Sequence, residues 1–169
     1  MKTPLSSSSF FDLREAGQSL EEVAVDIVHT EDQDVTSRWY HSPLDVDLFL
    51  WFDQKNNLIK QQLNICGQIT EWNIVDGVRT GYVIENEDLE EKNTFSHITY
   101  DSTVQNMSLR QAMDVLSFIE VIPEKQKKIM LSNFKTSPRL DRLSPYELLA
   151  RYGTKPQRGF KAFVAKWLK

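Results

Sequence analysis

Between Asp45 and Asp53 the chain alternates without a break. Val46, Leu48, Leu50 and Phe52 are apolar, and Asp45, Asp47, Phe49, Trp51 and Asp53 fall between them. Successive side chains of a strand point to opposite faces, so an extended segment gathers the four apolar residues on one side, whereas a helix would scatter them. One face is therefore wholly apolar and has to be covered. The other mixes acids with aromatic rings, as in a sheet packed on one side.

The neighbouring segments supply partners for this strand. Val23, Val25 and Ile27 give the Glu22 to His29 stretch the same period, and a short strand is expected at Ser37 to His41 before Ser42-Pro43 turns the chain. Gln54 to Asn57 is rich in turn formers and leads into a return strand from Leu58 to Ile65. Gly67 is expected to mark a bulge or bend. Gln68 to Val75 and Val78 to Ile84 then flank Asp76-Gly77, a dipeptide suited to the positive dihedrals of a type I′ hairpin turn. An acidic loop from Glu85 to Asn93 follows, and Thr94 to Tyr100 is a candidate sixth strand. The single cysteine, Cys66, excludes an internal disulfide framework and a thiolate zinc site; its strand-like flanks predict a small buried hydrophobe.

After Tyr100 the period changes to that of helices. Ser108 and Gln111 form a capping-box pattern, with Leu109, Ala112, Met113, Leu116 and Ile119 on one face before Pro123. A second helix is predicted from Glu124 to Phe134, with Ile129, Met130 and Phe134 inward. Lys125, Lys127 and Lys128 crowd its start, where cations oppose the helix dipole, so something outside the helix has to offset them. Ser144-Pro145-Tyr146-Glu147 opens a third helix, which should end near Tyr152 and Gly153. A fourth, from Pro156 to Lys169, places Phe160, Phe163, Val164, Trp167 and Leu168 on one stripe among Arg158, Lys161, Lys166 and Lys169. The expected architecture is α+β: an antiparallel meander of about five strands in the N-terminal two-thirds, packed by about four C-terminal helices.

Charge divides along the same line. Met1 to Glu120 holds 8 basic and 21 acidic residues, Val121 to Lys169 holds 12 basic and 3 acidic, and the whole chain is −4. Residues 1–20, with serines at positions 6 to 9, are expected to form a flexible tail. Residues 21–169 are then expected to form one domain, with an acidic sheet part at 21–105 and a basic helical part at 106–169. No apolar run approaches the roughly 20 residues of a membrane span, and the absence of a signal-like stretch and of paired cysteines places the chain in the cytoplasm as an expectation.

No residue pattern defines a catalytic centre, and no cofactor or metal is expected. His29, His41 and His97 lack metal-site spacing, and no phosphate-binding or dinucleotide fingerprint is present. Asp45-Val46-Asp47 puts two carboxylates on one strand face, a weak cation motif. Glu71 with Asp53 or His41 is a possible acid and base pair. The aromatic residues Trp39, Tyr40, Phe49, Trp51, Trp72 and Tyr82 form either a face covered by the helices or a surface able to stack a sugar or base.

The favoured function is a non-enzymatic protein-interaction or regulatory module. Its candidate contact residues are Trp51, Glu71 and Trp72 on the sheet and Lys125, Lys128, Arg158, Lys161, Phe163 and Trp167 on the helices. Nucleic-acid binding through the basic helices is one alternative. A small-ligand or enzymatic site on the aromatic sheet face is another, and peripheral contact with a membrane surface is the least favoured.

Overall fold

The computed structural model describes residues 11–24, 35–87 and 94–152. Within them the chain is α+β, with a seven-stranded antiparallel sheet and four helices. The elements are α1 (Leu13–Gln18), β1 (Glu21–Glu22), β2 (Val35–Ser42), β3 (Val46–Asp53), β4 (Leu58–Ile65), β5 (Gln68–Asn73), β6 (Gly77–Glu87), β7 (Thr94–Tyr100), α2 (Asn106–Phe118), α3 (Glu124–Thr136) and α4 (Pro145–Tyr152). Strand order in the sheet is the order in the chain. The sheet thus exceeds the five strands expected: β1 reaches only the first residue of the predicted Glu22 strand, and β7, the candidate sixth strand, pairs in full with β6. Residues 25–29 of that predicted strand lie outside the described residues, as does the predicted helix from Pro156.

Short turns fix the register. Pro43, Leu44 and Asp45 join β2 to β3, with Asp45 at φ +58° and the Ser42 hydroxyl accepting from the Leu44 amide. Asp53 organises the next turn: its Oδ1 accepts from the amides of Lys55 and Asn57. The type I′ signature of two positive dihedrals falls at Cys66 and Gly67, φ +50° and +84°, between the paired Ile65 and Gln68. Gly67 is therefore a hairpin residue rather than a bulge, and Cys66 is exposed, not buried, because a turn tip has no core beneath it. At Asp76-Gly77 only Gly77 has a positive φ, and three residues separate the paired Asn73 and Gly77. There the Asn73 side chain accepts from the Val75 and Asp76 amides, a local bond that takes over the work of a two-residue turn.

The alternation in β3 is realised. Val46, Leu48, Leu50 and Phe52 are buried beneath the helices, while Asp47, Phe49 and Trp51 are half-buried on the other face. Side chains of the inner face also hold the helices. Thr70 donates to the Ser108 carbonyl of α2, and Gln61 donates from Nε2 to the Met130 carbonyl of α3 at 3.0 Å. Ser108 is not an N-cap, as the capping-box pattern suggested. It lies buried in the first turn of a helix that begins at Asn106, and its hydroxyl accepts from Gln68 Nε2. In α3, Met130 and Phe134 point inward as expected, but Ile129 is 43% exposed, since the helix turns it toward the rim. The capping box at Ser144 and Glu147 is formed, and its bonds to Ser144 hold the Glu147 carboxyl below its ordinary value.

Residues 11–20, expected to belong to the tail, instead contain a capped helix. Asp12 accepts from the Arg14 and Glu15 amides, and Ala16 and Leu20 are buried in the common core. Gly17 lets α1 approach α2: a Cβ there would stand 2.5 Å from the Val115 carbonyl oxygen. In an isolated helix Gly→Ala stabilises by up to about 1 kcal/mol. Here Gly17→Ala is expected to destabilise by about 1–3 kcal/mol through overpacking, read as a lowered Tm. A raised Tm would show that α1 does not pack against α2 in this way. Among the described residues no helix is long and apolar enough to cross a membrane.

Candidate functional site

Glu71 and Trp72 are consecutive in β5, so they point to opposite faces of the sheet. The grouping of Trp51, Glu71 and Trp72 on one surface is therefore divided: Trp51 and Glu71 are on the outer face, and Trp72 is under the helices.

On the outer face Trp39, Phe49 and Trp51 stand as a ladder. Ring centroids are 5.9 and 6.0 Å apart and the interplanar angles are 9° and 30°. The rings therefore use their faces on one another. The Lys60 ammonium sits 4.6 Å from the Trp51 ring centroid, and His41 meets Trp39 edge-on. Stacking of a sugar or base would require an open ring face. The ladder spends these contacts internally.

Beside it lies a polar cluster centred on Glu71, whose side chain is fully buried. Oε1 accepts from Arg79 Nη2 at 2.7 Å and Asn73 Nδ2 at 2.9 Å; Oε2 accepts from the Tyr100 hydroxyl at 2.7 Å and lies 3.2 Å from Lys60 Nζ. Burial alone would raise the Glu71 carboxyl. The Lys60 charge and the bonds from Arg79, Asn73 and Tyr100 outweigh it and hold the carboxyl below its ordinary value. Burial and the same carboxylate push the Tyr100 hydroxyl up. A carboxylate so fully engaged is a structural anion, not a general base. It does not meet Asp53 or His41 as an acid and base pair. His41 Nδ1 is instead 2.8 Å from Asp47 Oδ1, which also accepts from Trp39 Nε1, and Asp53 belongs to the β3–β4 turn. Among the described residues no group of three or more His, Cys, Asp or Glu side chains could hold a metal ion, so Asp45 and Asp47 form no such site.

The inner side offers a cleft of about 790 Å³ between the β3–β4 turn, α3 and α4. Its walls include the buried Phe52, Leu58 and Trp72, and Trp72 donates from Nε1 to the Pro138 carbonyl at 3.0 Å. Lys125 and Lys128 rise from α3 and Arg151 from α4; all three are exposed, and no acidic residue lines the cleft among the described residues. Arg151 Nη1 reaches Asn133 Oδ1 at a long 3.5 Å, and Asn133 in turn donates to the buried Gln61. Other cations of this region are tied internally: Lys127 pairs with Glu124 and donates to the Ile119 carbonyl, and Arg139 chelates Asp141 through two bonds.

The structure thus brings Trp72, Lys125 and Lys128 together, apart from Trp51 and Glu71. Arg158, Lys161, Phe163 and Trp167 lie outside the described residues. Arg151 and the amides of Asn56, Asn57 and Gln126 were not singled out from the sequence. Their segments are far apart along the chain, and only the docking of α4 makes them neighbours. No protein-family model, curated protein or solved structure matches the chain.

Proposed function

We propose that this chain is a non-enzymatic interaction module that receives an acidic segment of a partner protein in the cleft between α3, α4 and the β3–β4 turn. The observation that carries this reading is the imbalance of charge: Lys125, Lys128 and Arg151 line a cleft of ligand-binding size, and among the described residues no carboxylate lines it. Phe52, Leu58, Trp72 and Ile129 supply apolar wall beneath and beside the cations, so a segment mixing acids with an apolar residue is the complementary shape. The Glu71 cluster, with every carboxylate oxygen engaged, stabilises the sheet that carries the cleft.

Titration of the protein with a library of Asp- and Glu-rich heptapeptides, followed by fluorescence anisotropy, tests the proposal. Binding is expected to weaken with added salt and to fall by about tenfold or more in the Lys125→Glu, Lys128→Glu double variant. Both lysines are exposed and lie near the α3 N-terminus, where Glu is favoured over Lys, so the variant should melt no lower than the parent. Unchanged affinity in a folded double variant would remove the cleft from the binding surface.

A further inference from the structure

The distribution of donors around the cleft says more about the acidic group it would take. A carboxylate brings one negative charge. A phosphate monoester brings about −1.5 to −2 at neutral pH and three strong acceptor oxygens. Among the described residues the cleft has three cationic side chains, two from α3 and one from α4. Lys125 and Lys128 are three residues apart on α3, on neighbouring turns of one face, while the Arg151 guanidinium comes from α4, where among the described residues it makes a long hydrogen bond to Asn133 and feels the Glu147 carboxylate one turn back. The nearest carboxylate on Arg151's own helix, Glu147, is one turn back and already accepts from the Ser144 amide and hydroxyl.

Two further features point the same way. Lys125 sits in the first turn of α3, at the positive end of its dipole, with Lys128 just beyond it; the helix has Pro123 as N-cap with no side-chain capping bond, and the first-turn Glu124 is paired with Lys127, so helix energetics alone disfavour Lys125 there. An anion between them reverses the sign of that effect. Gln126, on the cleft wall between the lysines, has a buried Nε2 with no acceptor. A buried amide donor without an acceptor costs free energy, and an oxyanion beside it is an acceptor of the required kind.

We infer that the cleft reads a phosphorylated side chain on the partner segment, clasped by Lys125 and Lys128 from α3 and by Arg151 from α4. The inference rests on the acidic-segment reading of the same cleft and narrows it from acidic to phosphorylated. Arg and Lys donors converging from separate elements form the usual protein-side recognition of phosphate monoesters. Pairing Arg151 with a ligand on α3 also fastens α4 to the rest of the fold.

The test uses the full chain and three heptapeptide libraries with identical acidic and apolar flanks and a central phosphoserine, aspartate or serine. The phosphoserine library is expected to bind at least about tenfold tighter than the aspartate one. Its binding should be lost in Lys128→Glu and weakened in Arg151→Gln, and inorganic phosphate should compete with it. Equal binding of the phosphoserine and aspartate libraries overturns the phosphate inference and leaves the acidic-segment reading standing. No binding by any library overturns both. Phosphoserine binding that persists in folded Lys128→Glu and Arg151→Gln variants places the site elsewhere and overturns the inference. An oligothymidylate that binds tighter than the phosphopeptides overturns the peptide as the source of phosphate.

Discussion

Replacing Glu71 by alanine is expected to cost about 3–5 kcal/mol of folding stability, the range for leaving a buried charge cluster without its counter-ion. Lys60 and Arg79, only 18% and 30% exposed, would face one another with no carboxylate between them. Asn73 and the Tyr100 hydroxyl would lose their acceptor as well. Urea denaturation of Glu71→Ala against the parent measures the loss, and a change below about 1 kcal/mol would show that the cluster is dispensable. The same group predicts an acid dependence. Its folded carboxyl lies below the ordinary 4.5, so as pH falls the unfolded chain takes up this proton first. The contribution is complete above that ordinary value and is lost as pH falls through the folded one. Glu71→Gln, which does not titrate, should lack this part of the acid-induced loss, while being less stable than the parent near neutral pH.

On the opposite face, Trp72→Ala is expected to lose about 3–5 kcal/mol. The indole is 1% exposed and spans from the sheet to the α3–α4 connection, where its Nε1–H meets the Pro138 carbonyl. Trp72→Phe keeps most of the packing and removes the donor, so its cost should be smaller, about 1–3 kcal/mol for an unpaired buried carbonyl. Far-UV circular dichroism during denaturation gives the order parent, Phe, Ala. A Phe variant as unstable as Ala would assign the effect to the hydrogen bond rather than to packing. Since Trp72 also forms part of the cleft, the Phe variant provides a folded background in which to measure peptide affinity.

The alternation at Val46 to Phe52 was legible because period-2 patterning is local, and the buried apolar residues of β3 are those it selects. Ser144, Pro145 and Glu147 were legible for the same reason: a capping box needs only four consecutive residues. Ser108 shows the limit of such patterns. It fits the same box, yet Gln68 and Thr70, some forty residues earlier, draw it into the interface. The hairpin at Cys66-Gly67 was hidden because Cys is an uncommon residue at positive φ, whereas Asp76-Gly77 has favourable composition but an Asn73 side chain that reshapes the turn. The division of Glu71 from Trp72 follows directly from strand geometry. The cleft does not, since its cations acquire meaning only when α4 comes to lie beside α3.

The order of the strands bears on how the chain is made. Every strand pairs with its neighbour in sequence, so the described turns close over only a few residues and the sheet can zip from one hairpin to the next. Its cover arrives late: Gln61 finds its carbonyl on Met130, 69 residues further on. At roughly 5–20 residues per second on a ribosome, the apolar face of β3 waits several seconds for that lid. During that interval α1, though already synthesised, lacks its own main packing partner, since it lies against α2.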